Sequence, residues 1–186
     1  MSRLDMDRLL QPVSDQEPAG EDLSDLTEYY VLEDLVTAAR DGEEHASWPQ
    51  VLEQGTTLLE RGKELRVAEH VLHALVEMDG FRGLAEGLEL IEKLLTGFWE
   101  SLHPELDEED ENPAMARMNL LHELSSGAMG GETISAIVAG IREASFCDSR
   151  QLGTFCWRDV LLATGELTPA DGQEAPQLAL IEGAVR

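Results

Sequence analysis

Apolar residues recur along most of the chain at intervals of three and four, the spacing that gathers them on one face of an α-helix. The longest such run is Leu84, Leu88, Ile91, Leu95, Phe98 and Leu102, with Leu94 and Trp99 beside it. It predicts a helix over about 81–102, ended by Pro104. Ahead of it, Leu65, Ala68, Leu72 and Leu75 form one stripe, and Val67, Val71, Ala74 and Met78 form a second. An apolar face that wide suits a central helix, over about 63–78. Packing between these two helices should bury Leu72, Leu88, Ile91, Leu95 and Trp99.

Shorter periodic runs flank this pair. Leu32, Leu35, Val36 and Ala39 predict a helix that starts at Asp25, where Asp25-Leu26-Thr27-Glu28 has capping-box spacing, and stops near Gly42. Ser47-Trp48-Pro49-Gln50 opens another, with proline in the first turn where it costs no hydrogen bond, and Gly62 closes it. Asn112-Pro113 opens a fifth helix. Gly127, Gly130 and Gly131 break the chain before a sixth, marked by Ile134, Ile137, Val138 and Ile141. Thr154 to Trp157 reads as briefly extended, then a short helix runs from Arg158 to Thr164 and ends at Gly165. Alternation of period two never lasts beyond four or five residues, so the expected class is all-α: an irregular bundle of about six to eight helices.

Pro12, Pro18 and Gly20 interrupt residues 1–24, which read as an N-terminal arm with Leu9, Leu10 and Val13 as its apolar grip. Residues 25–165 form the helical domain, and 166–186 the start of a linker or following helix. A chain that stops inside a weakly periodic segment without a cap suggests a domain cut from a longer protein.

Charge narrows the function. The 186 residues carry 38 Asp and Glu against 13 Lys and Arg, a formal net charge of −25. Such a surface repels nucleic-acid phosphates and the anionic leaflet of a membrane, and gives solubility or selects a basic protein client. No apolar run approaches the ~18 residues of a membrane span, and the charged N-terminus is not a secretion signal. Two cysteines, Cys147 and Cys156, match neither a metal site nor a CxxC pair, so a reducing cytoplasm is the natural setting.

Candidate chemistry is sparse. His70 and His73 could share one helix face, and with an acidic neighbour they would suit a metal-dependent hydrolase. Arg66, Glu69 and Glu77 share their stripe, which reads as a solvent-facing side or the lining of a polar groove. The acidic run Asp107 to Glu111 has Asn112 and Met118 where a calcium-binding EF-hand loop needs Gly and Glu, so it is a solvated loop. Cys156, between Phe155 and Trp157, sits in an apolar setting that raises a thiol pKa. Gly83 and Gly87 lack the Lys-Ser/Thr of a phosphate loop and mark close approach to another helix. No catalytic, cofactor-binding or metal-binding residue is assigned.

Several separated stretches together resemble one family. They are Gly20-Glu21-Asp22-Leu23, Trp48, and Leu58-Leu59-Glu60-Arg61-Gly62-Lys63-Glu64-Leu65-Arg66-Val67-Ala68. Gly83-Leu84-Ala85-Glu86-Gly87-Leu88 and Trp99-x-x-Leu102-His103-Pro104-x-Leu106-Asp107 follow, then Arg117-Met118-Asn119-Leu120-Leu121 and Trp157-Arg158-Asp159-Val160. In this order, over roughly residues 8–165, the chain resembles the N-terminal, ImpA-type domain of the TssA family of bacterial type VI secretion systems. The resemblance implies a non-catalytic cytoplasmic adaptor that contributes to baseplate recruitment and tail-sheath assembly. Its implied partners are baseplate, sheath or membrane-complex proteins, with homo-oligomerisation through a C-terminal region outside this chain. Nucleic acid, membrane insertion and cofactors have no part in it. Family members usually carry a longer polar insertion where only Asp41 to Ser47 stands here. Arg66, Arg158 and Asp159 read as fixing tertiary structure by capping or ion pairing, with contact to a partner as the alternative.

Overall fold

The computed structural model describes residues 2–126, 134–170, 172 and 174–185; Gly127, Gly130 and Gly131, read above as chain breaks, lie outside them. Nine α-helices and one small antiparallel sheet make up the described part. In order, they are α1 (Met6–Leu9), α2 (Thr27–Arg40), α3 (Trp48–Arg61), α4 (Leu65–Asp79), α5 (Phe81–Gly97), α6 (Met115–Ser125) and α7 (Ala136–Glu143). A hairpin of β1 (Ser145–Ser149) and β2 (Gly153–Cys156) follows, then α8 (Trp157–Thr164) and α9 (Leu178–Val185). No helix among the described residues is long and apolar enough to cross a membrane.

The central helix is α4, as its double stripe requires. Ten of its 15 residues are buried, and it packs against α3, α5, α6 and α7. Helix α5 meets it most closely, because a Cβ on Gly83 would stand 1.9 Å from the Leu75 carbonyl oxygen and one on Gly87 2.5 Å from Leu72 Cδ1. Only glycine permits that approach. The two glycines therefore lead the contact line of α5, and Leu90, Ile91, Leu94 and Phe98 continue it inward.

This rotates the buried face away from the expected stripe. Leu72 and Ile91 are buried and Leu95 is partly so, but Leu88 is 45% exposed and Trp99 39% exposed. Counting apolar side chains alone assigns the glycine positions to the wrong face. The helix also ends at Gly97, with the Phe98 amide closing on the Leu94 carbonyl, so Leu102 and Pro104 lie beyond it.

Three start signals act differently from expectation; one is Asn112-Pro113, since α6 begins at Met115 behind Ala114. Helix α2 begins at Thr27 behind Leu26, which gives no side-chain cap, while Asp25 ends a single 3-10 turn (Leu23–Asp25) capped by Asp22. Ser47 precedes α3 in extended conformation, but its hydroxyl bonds the Gln50 side chain at 2.6 Å instead of the backbone. The all-α expectation needs correction too. Thr154 and Phe155 favour a strand, and β2 pairs with β1 through Cys147↔Phe155 and Ser149↔Gly153, so the fold is mostly helical with a two-stranded sheet. Burial raises the Cys156 thiol pKa, as its apolar neighbours imply.

The N-terminal segment lies on the bundle. Leu4, Leu9, Ala19 and Leu23 join the core, Arg3 pairs with Asp79, and Glu86 Oε1 accepts from the amides of Arg3 at 2.7 Å and Leu4 at 2.6 Å. Leu94→Ala should cost ~2–5 kcal/mol in chemical denaturation, as a fully buried leucine does. Leu88→Ala on the same helix should cost under ~1 kcal/mol. Equal losses would return Leu88 to the core.

Candidate functional site

Three chain segments meet at one end of the bundle: the arm around Gly20, the α3–α4 connection, and the turn after α5. Gly20 has φ +76 and bridges Gly62, and the Lys63 amide donates to the Ala19 carbonyl at 2.6 Å. A Cβ at Gly20 would meet the Arg61 carbonyl oxygen at 2.1 Å, so the backbones touch as only glycine allows. On the other side Glu64 bridges His103, through His103 N–H to the Lys63 carbonyl at 2.9 Å and Leu65 N–H to the His103 carbonyl at 2.8 Å. The His103–Pro104 peptide is cis.

Buried charge organises this junction. Arg117, on α6, is 1% exposed, yet its guanidinium donates to the carbonyls of Pro104 at 2.8 Å, Trp99 at 2.5 Å, and Leu102. The same group lies 4.9 Å from the centre of the Trp99 ring. Lys63 is equally buried; its Nζ donates to the Leu59 carbonyl at 2.7 Å and stands 5.8 Å from the Phe98 ring centre. Desolvation lowers the pKa of both cations.

Asp22, Glu64 and His103 also meet at this junction. One ligand atom from each falls in a group whose members lie within 4.8 Å of one another. Burial pushes the Glu64 carboxyl up to about 6, while hydrogen bonds from Ser24 hold Asp22 below its ordinary value. Asp22 Oδ1 accepts from the Ser24 amide at 2.8 Å and hydroxyl at 2.7 Å. His103 Nε2 lies 3.1 Å from the Gly20 carbonyl, to which it can donate, and the buried Nδ1 finds no hydrogen-bond partner among the described residues. A cleft of roughly 400 Å³ opens beside the group, lined by Asp22, His103, Glu100, Ser101 and Glu105.

The residues singled out in the sequence divide by place. Gly20, Asp22, Leu23, Leu65, Trp99, His103, Pro104 and Arg117 gather at this junction, while Gly83 and Gly87 form the α4–α5 contact. Trp48 stands apart, its ring centre 4.4 Å from that of His73. Arg66 pairs with Glu69 at 2.9 Å and Glu123 at 3.0 Å. Asp159 accepts from the Cys156 amide at 2.9 Å to cap α8, and Arg158 pairs with Glu143 at 3.0 Å. Asn119 is exposed on α6. Lys63 and Glu64 belong to the resembling stretch around Gly62, but nothing in their spacing shows that they are buried at this junction.

His70 and His73 are buried, which overturns the solvent-facing alternative and leaves the groove-lining one. His70 Nε2 meets Glu33 Oε1 at 2.7 Å, and burial pushes His73 down to about 4. They border a cleft of roughly 140 Å³ with Arg40, Glu69 and Ile137. Among the described residues, no third metal-ligating group clusters with this pair. The acidic loop turns on itself, with Asp107 and Asp110 accepting from the amides of Glu109 and Asn112.

Residues 10–126 match the family described as ImpA, N-terminal, type VI secretion system. The chain is 35% identical over 126 residues to the type VI secretion system component TssA1 of Pseudomonas aeruginosa, covering 63% of this chain and 37% of that protein. It thus spans little more than a third of that relative. It is also similar to the solved N-terminal domain, including the conserved ImpA_N region, of the TssA component of the type VI secretion system from Burkholderia cenocepacia. There the TM-score is 0.74 at 25% identity, over 99% of this chain and 71% of that one.

Replacing Arg117 with Lys should destabilise the protein by ~2–4 kcal/mol, because one ammonium cannot serve three divergent carbonyls in place of a planar fork. Thermal and denaturant unfolding check this. A loss under ~0.5 kcal/mol would mean that the carbonyls find other donors.

Proposed function

The chain belongs to the ImpA N-terminal family of the type VI secretion system, and from that premise we propose that it is a non-catalytic contact domain. It contributes to baseplate recruitment and tail-sheath assembly by binding other proteins of the system. The observation that carries this reading is what the polar family-motif residues bond to. Arg117, Lys63 and Asp159 serve backbone groups, and Arg66 and Arg158 pair with carboxylates. Those bonds do architectural work, which leaves contact through the outer surface as the means of action.

The charge of −25 supports the kind of partner. Baseplate, sheath or membrane-complex proteins that present basic surfaces would be steered toward this domain, and their encounter would slow as salt rises. Homo-oligomerisation belongs, in this reading, to regions of the longer protein outside this chain. The cytoplasm is where such partners would be met.

Deleting the domain from the full-length protein in cells should reduce or misplace dynamic sheath tubes seen with a fluorescent sheath subunit. His73→Phe, which keeps a ring against Trp48, should leave assembly within about threefold of wild type, whereas loss of a catalytic acid or base costs ~100-fold or more. Normal sheath dynamics after deletion would defeat the contact-domain reading. A folded His73→Phe protein as defective as the deletion would favour chemistry instead.

A further inference from the structure

We infer that Asp22, Glu64 and His103 form a binding site for one divalent transition-metal ion of the zinc class, with Nδ1 of His103 as the nitrogen ligand. The inference is separate from the proposed assembly role. The His103 side chain is 5% exposed and its Nδ1 has no hydrogen-bond partner among the described residues. A buried polar atom left this way is costly, and native structures rarely keep one without a ligand or water.

The other ring nitrogen sets the tautomer. With Nε2–H donated to the Gly20 carbonyl at 3.1 Å, Nδ1 keeps its lone pair. Metal-ligating histidines are held in this way, one nitrogen on the metal and the other N–H on a carbonyl or carboxylate. Glu64 is 5% exposed and is tied beside His103 by the backbone bridge, so these two ligands come pre-positioned. Asp22 closes the set from the arm, its orientation fixed by the two bonds from Ser24.

Size and chemistry both suit the ion. Ligands around tetrahedral zinc lie roughly 3.3 Å apart at bonds of about 2.0–2.2 Å. One carboxylate oxygen from Asp22, one from Glu64 and a ring nitrogen of His103 already lie within 4.8 Å of one another, so side-chain rotations would bring three ligands to that spacing. One imidazole and two carboxylates favour zinc over calcium or magnesium, which take oxygen ligands in larger number. The neighbouring cleft leaves room for a fourth ligand, either water or a side chain from a partner protein. An ion here would join the arm, the start of α4 and the turn after α5.

The test titrates zinc sulfate into the chelator-stripped full chain by calorimetry, with excess magnesium to mask surface carboxylates. One zinc per chain should bind saturably. Asp22→Asn and Glu64→Gln, which preserve shape, should each weaken binding at least tenfold. Cobalt(II) should give a visible ligand-field band in the wild type that both variants lose. Non-saturating uptake, or one-to-one binding that both variants retain, overturns the site. Circular dichroism verifies that each variant is folded, and because Asp22 is exposed its variant decides the matter if Glu64→Gln unfolds.

Discussion

A guanidinium removed from water must place its N–H groups on acceptors or cost several kilocalories per mole, and that demand shapes one end of this protein. Arg117 meets it with three carbonyls from a single turn, those of Trp99, Leu102 and Pro104. Holding all three at once fixes the path of the chain after α5. That path brings the His103 backbone beside Lys63 and Leu65, and the same connection receives the arm at Gly20. Arm, α3–α4 connection and post-α5 turn are thus referred to one side chain on α6.

The rest of the bundle depends on closeness. Gly83 and Gly87 let α5 rest on the backbone of α4 at Leu75 and Leu72, and Gly55 of α3 faces Val71 on another side of α4. With its apolar faces covered, α4 can bury His70 and His73 as well, His70 satisfied by Glu33 and His73 packed at a tilt against Trp48. Apart from buried Glu64, most acidic residues are left for the outside, where their mutual repulsion is screened. Several motif residues thus hold the scaffold.

Much of this was legible in the chain. Helical periodicity located α2 to α5 and α7, with α5 ending five residues before the expected 102, while proline and glycine signals marked α6 and α8. Facing was less secure. Leu88 and Trp99 fit the stripe yet are exposed, since glycines carry no side chain to count and still mark the tightest contact. The charged members of the junction were legible as motif residues but not as neighbours. Asp22, Glu64 and His103 are separated by tens of residues, and only the fold brings them together. Strand β1 gave no warning either, because five residues with one bulge are too few to show alternation.

If Arg117 binds these segments together, the junction is part of the cooperative core and not a detachable edge. Native-state hydrogen exchange tests it at the amides of Lys63, Leu65 and His103, which bond to Ala19, His103 and Lys63. These three should exchange only with global unfolding, at the same free energy as the amide of Leu72 in mid-α4. Exchange of all three through a local opening several kcal/mol cheaper, with Leu72 still protected, would contradict the account.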